Sequence, residues 1–146
     1  MKKYLFVITT VTAILLLAAC SQKNDKVERK FYNSWEAQIG YAQVTKAGSM
    51  LYISGLTSTK EGMNEQVKEI YTTISKILND YGVDTSYIVK ETAYTKDIEA
   101  LKDAIYVRKE FFTDIQYPAA TWVQIDRLFN EAMLVEIEVI AWVPDK

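Results

Sequence analysis

The sequence predicts a two-layer α+β domain: a mixed sheet with two helices on one of its faces. Three observations carry this. Stretches that alternate apolar and polar residues fall into two, one and two strands, separated by two stretches whose apolar residues recur every three or four positions. Two amphipathic helices can cover only one face of such a sheet. The last strand nevertheless carries large apolar residues on both of its faces.

In chain order, residues 1–19 read as an export signal. Lys2 and Lys3 supply a positive start, and Leu5 to Leu17 is an uncharged apolar run too short to span a bilayer comfortably. It ends in Leu17-Ala18-Ala19-Cys20, which resembles the lipobox of bacterial lipoproteins. Two small residues give a peptidase access to the backbone, and the Cys20 thiol takes the lipid. The alternative is an ordinary signal peptide that ends beside a cysteine. Residues 20–34 are then a lipidated cysteine and a flexible tether, polar and without periodicity over Ser21 to Lys30. The expected location is the cell envelope, lipid-anchored to a membrane. Ser21 in place of an aspartate points to the outer membrane where there is one.

Residues 35–146 form the folded domain. Tyr41 to Lys46 and Met50 to Ser54 alternate, with Ala47-Gly48-Ser49 as the turn of a hairpin. From Asn64 to Tyr81, Val67, Ile70, Tyr71, Ile74, Ile77 and Leu78 make one helical stripe, and Gly82 stops it. Ile88 to Thr95 is rich in β-branched residues and reads as a strand. Asp97 caps a second helix carrying Leu101, Ala104, Ile105, Phe111 and Phe112. Thr121 to Asp126 and Leu134 to Val143 are the closing strands. Along the last, Val135, Ile137, Val139 and Ala141 face the helices; Glu136, Glu138, Ile140 and Trp142 face away, and Trp122 is expected to join them. An uncovered sheet bearing two tryptophans predicts a self-assembly surface.

Composition narrows the chemistry. No histidine occurs, which excludes His-based acid–base catalysis and His-containing metal sites; no metal is expected. The single cysteine is taken by lipid, so neither a thiol nucleophile nor an internal disulfide is expected. Formal charge is −2, and becomes more negative once Lys2 and Lys3 are removed. With no basic patch, nucleic acid is not an expected partner. Five scattered glycines make no phosphate loop. Glu136 and Glu138 are neighbours on one strand face, and burying such a pair raises the proton affinity of at least one.

Several pieces, in order, resemble the Rid family (reactive intermediate deaminases, also called YjgF or L-PSP proteins). They are Ile39-Gly40-Tyr41, Met50-Leu51-Tyr52-Ile53-Ser54-Gly55, Thr95-Lys96-Asp97, Glu110-Phe111-Phe112, Tyr117-Pro118-Ala119 and Val135-Glu136-Ile137-Glu138-Val139-Ile140-Ala141. The resemblance implies a chorismate-mutase-like fold assembled as a homotrimer, the sheets lining a barrel and three ligand clefts lying between subunits. It also implies hydrolysis of enamines and imines without any cofactor. Tyr41, Ser54, Gly55 and Glu136 match the family's cleft residues, with Glu136 as the group handling water or protons.

One matching position departs. The family's arginine, which binds the substrate carboxylate, is replaced here in Pro118-Ala119-Ala120-Thr121 by Ala120. Trp122 follows where a smaller residue is usual, and Ile105 stands where an asparagine often occurs. A methyl group cannot pair bidentately with a carboxylate, and losing such a contact costs about 1.5–3 kcal/mol. The expectation is a small-molecule-binding trimer with weak ordinary deaminase activity. Two alternatives are an imine hydrolase of altered specificity using Glu136, and a structural trimer whose clefts Trp122 fills. Arg108 lies on the apolar stripe of the second helix, its head either turned out to solvent or meeting a buried carboxylate, within the chain or across a subunit boundary.

Overall fold

The computed structural model describes residues 26–144. The export signal, Cys20 and the start of the tether lie outside the described residues. Six strands form one sheet: β1 (Glu28–Lys30), β2 (Val44–Ala47), β3 (Met50–Thr57), β4 (Ile88–Thr95), β5 (Ala119–Gln124) and β6 (Val135–Trp142), in the order β1-β2-β3-β6-β4-β5. Neighbours are antiparallel except β4 and β5, which are parallel. The helices are α1 (Ser34–Ile39), α2 (Met63–Asp80), α3 (Ile98–Asp103) and α4 (Ile105–Lys109). The expected mixed two-layer α+β domain is what forms.

The long helix α2 follows from its stripe. Val67, Ile70, Tyr71, Ile74, Ile77 and Leu78 are all at most 2% exposed, each burial stabilising the fold by roughly 1.5–3 kcal/mol relative to exposure. Gly82 ends this region with φ +76°, a conformation an L side chain resists. The second predicted helix is broken at Ala104 into α3 and α4. Asp97 caps α3 by accepting from the Glu99 and Ala100 amides, both at 3.0 Å.

Strand β6 sits at the centre of the sheet between β3 and β4, and its alternation is as expected. Val135, Ile137, Val139 and Ala141 are buried beneath the helices, and Glu136, Glu138, Ile140 and Trp142 lie on the opposite face. Among the described residues no helix covers that second face. Trp142 there stacks on Tyr87, ring centroids 6.0 Å apart.

Two expectations are corrected. Glu28–Lys30, assigned to the tether, is an edge strand paired to β2; Lys30 and Tyr32 also both donate to Asp80 at the end of α2, at 2.6 and 2.8 Å. A three-residue strand has too few positions for a period to show. Trp122, expected on the uncovered face, lies on the helix side instead. It is level with buried Ala93 across the parallel β4–β5 pair, and its indole packs against the core. That strand starts two residues earlier than its polar pattern implies, and one edge strand with both faces half-solvated does not declare its facing.

Candidate functional site

Glu136 is held between Thr57 of β3 and Tyr94 of β4. Register on β3 breaks between Ile53 and Leu56, a bulge containing Ser54 and Gly55. The Glu136 side chain fills the space that a side chain at position 55 would need. A Cβ there would stand 1.9 Å from Oε1 and 2.8 Å from Cγ of Glu136. Glycine is required at this position for close approach, and its absence of a Cβ fixes where the carboxylate lies.

The bulge also holds the segment that carries Tyr41. Ser54 donates its hydroxyl to the Ala42 carbonyl and its amide to that of Gln43, both at 2.9 Å. Gln43 returns an amide hydrogen bond to the Ser54 carbonyl at 2.9 Å. Helix α1 enters from the other side. Fully buried Glu36 accepts from the Tyr32 and Asn33 amides at 3.0 and 2.9 Å, closing the first turn. At the other end Gly40 turns the chain with φ +100°. The Trp35 ring thereby comes to 6.0 Å from that of Tyr41.

Together these elements enclose a cavity of about 580 Å³ lined by Trp35, Ile39, Tyr41, Ser54, Gly55, Thr57, Phe129, Met133 and Glu136. Four of the residues matched to the family's cleft, Tyr41, Ser54, Gly55 and Glu136, are thus brought to one place. Burial, reinforced by neighbouring Glu138, raises the Glu136 carboxyl above the ordinary carboxylate range. Burial raises the Tyr41 hydroxyl as well, helped by Glu36 and Glu136. Among the residues lining the cavity, none is cationic. Such a site can bind an apolar body and hold or move one proton at Glu136.

Ala120 and Trp122 do not line this cavity within one chain. Ala120 is exposed at the edge of the sheet, level with Glu91 and on the face opposite Glu136. Beneath it lies a buried polar cluster. Glu91, fully buried, accepts from Tyr71 Oη at 2.7 Å, Arg108 Nε at 2.8 Å and Trp122 Nε1 at 3.0 Å. Phe112, Tyr117 and Trp122 surround the guanidinium at 4.6, 5.5 and 5.7 Å. Of the two readings of Arg108, the buried carboxylate within the same chain is the correct one.

Sequence reasoning passed over Trp35, Ile39, Thr57, Phe129 and Met133. For the first two a signal existed: Asn33-Ser34-Trp35-Glu36, an amide side chain three residues before a glutamate, is a helix start, and Gly40 is a helix stop. Phe129 and Met133 lie in an irregular loop, where no period marks them.

Comparison with known proteins places the chain and its fold among relatives. Residues 31–143 match the family described as Endoribonuclease L-PSP. A RutC family protein of Aquifex aeolicus is 32% identical over 109 residues, covering 69% of this chain and 86% of that protein. A crystal structure of a Mycobacterium tuberculosis member of the YjgF family superposes with a TM-score of 0.74 at 24% identity, over 81% of this chain and all of that one. A Yersinia pestis structure of the Rid family superposes at 0.67 with 26% identity, over 71% and 88%. The chain belongs to the L-PSP family, the group also called YjgF or Rid, and it keeps that family's fold.

Proposed function

We propose that the chain is an exported, lipid-tethered member of its family that binds a small organic molecule in intersubunit clefts of a homotrimer, with weak activity on ordinary amino-acid-derived imines and enamines. The observation that carries this is the open cavity at Glu136, built by the matching residues but lacking any cationic lining residue. Ala120, exposed at the edge of the sheet, would reach the cleft from an adjoining subunit and offer only a methyl group to a carboxylate, while Trp122 is held inward by Glu91. The uncovered face of β6 supports assembly through the sheet. Acidic balance argues against RNA as the ligand, whatever activity the family's descriptive name records for other members.

The test is incubation of the purified protein with 2-aminoacrylate generated in situ. Slow release of ammonia, accelerated by Ala120→Arg, is expected; rapid deamination by the unaltered protein would refute the reading. For the anchor, Cys20→Ser should move the protein out of the membrane fraction. Retention there would show that no lipid on Cys20 holds it.

A second reading, hydrolysis of a different imine at the same cleft, is favoured by the raised proton affinity of Glu136, which suits proton transfer nearer neutral pH. It requires that Glu136→Gln abolish turnover of whichever imine is accepted.

A further inference from the structure

The cavity at Glu136 has two walls of opposite character. One is apolar and largely aromatic: Trp35 and Phe129 stand exposed at its edge, 47% and 83% accessible, with Ile39 and Met133 beside them. Exposed rings of this size flanking a cavity offer flat surfaces on which another ring can stack. The other wall is acidic. The Glu136 carboxylate is folded over Gly55, and Glu138 lies two positions along the same strand face. Behind Tyr41 is Glu36, whose carboxylate is held by amide donors and has no cation beside it among the described contacts. The charged groups that act on Tyr41 and on Glu136 are all carboxylates.

An anionic ligand entering this cavity meets like charge and, among the described lining residues of the one chain, no cationic group. A cationic one donates a charge-assisted hydrogen bond to the Glu136 carboxylate and meets the π faces of Trp35 and Tyr41. The Trp35 and Tyr41 rings are tilted by 57° at 6.0 Å, so they make a corner open to a ligand instead of a closed stack.

We propose that this cleft takes an aromatic molecule bearing a cationic nitrogen, an arylalkyl ammonium or the protonated imine of an aromatic amine, with its ring against Trp35 and Phe129 and its nitrogen at Glu136. The proposal rests on the reading of the cleft as a small-molecule site and specifies its ligand class.

The experiment is calorimetric titration of the full-length protein in lipid nanodiscs, against empty nanodiscs, with three probes of similar shape: 2-phenylethylammonium, 2-phenylethanol and 3-phenylpropionate. The expected order is ammonium, alcohol, carboxylate, with the ends separated by at least about tenfold in Kd, the ratio a charge-assisted contact supplies. Glu136→Gln should bring the ammonium-to-carboxylate ratio close to one, and Trp35→Ala should weaken the ammonium and the alcohol together. Unchanged secondary structure and assembly in both variants exclude loss of fold as the cause. Carboxylate binding as tight as ammonium overturns the proposal. A fragment set of mixed size and charge, read out by crystallography, separates the two levels. Anionic or non-aromatic fragments seated at Glu136 overturn the ligand class and keep the cleft. No fragment there overturns both.

Discussion

Arg108→Met tests the buried cluster beneath β5. Glu91 is fully buried and its carboxylate takes three donors, of which the Arg108 Nε at 2.8 Å is the one that carries charge. Truncating the guanidinium leaves an anion with two neutral donors, Tyr71 and Trp122, in an apolar surround. Removing one partner of such a pair costs about 3–5 kcal/mol. For a domain of this size that corresponds to a fall of about 10–20 °C in Tm. Glu91→Gln combined with Arg108→Met removes both charges and keeps an acceptor for Tyr71 and Trp122, so the double variant should lie within about 2 kcal/mol of the parent. Urea denaturation followed by circular dichroism, at fixed protein concentration because assembly would shift the midpoint, measures all four corners of the cycle. The reasoning is refuted if Arg108→Met costs less than about 1 kcal/mol, or if the double variant loses the sum of the two single losses.

Gly55→Ala forces Glu136 out of its place, because the new Cβ would meet Oε1 and Cγ of that residue; a stability loss of about 1–3 kcal/mol and weaker ligand binding should appear in denaturation and titration. Glu136 binds its proton more tightly folded than unfolded. Its contribution is therefore fully present below the ordinary carboxylate range and is lost as pH rises through the raised folded value. Stability measured from about pH 4 to about pH 7 should fall more steeply in the parent than in Glu136→Gln. Asp97→Ala removes the acceptor for two amides of α3 and should cost about 1 kcal/mol by the same denaturation assay.

Strong periods made most of the fold legible in the sequence. The stripe of α2, the alternation of β6 and the cap at Asp97 each bury or satisfy groups that no other local structure would, so a pattern along the chain suffices to place them. Short elements escaped. Strand β1 exists because the edge of β2 accepts it and because Lys30 and Tyr32 reach Asp80, 50 and 48 residues away. Helix α1 carried its own start and stop signals in Asn33, Glu36 and Gly40, yet its polar neighbourhood resembles a tether. Its exposed Trp35 acquires meaning only beside Tyr41.

The candidate site divides in the same way. The residue types at positions 41, 54, 55 and 136, and alanine at 120, can be read directly from the chain, because each sits in a recognisable short motif. That a carboxylate occupies the space above Gly55, that Phe129 and Met133 close the same cavity, and that Trp122 turns inward to Glu91 are decisions of the tertiary structure. Local pattern along the chain sufficed for the long elements, for their faces and for reading alanine at position 120. Only the folded chain decided which side chains share a cavity and which charge meets which. Those outcomes depend on a bulge in β3 and on the facing of an edge strand, where side chains distant in sequence compete for one space.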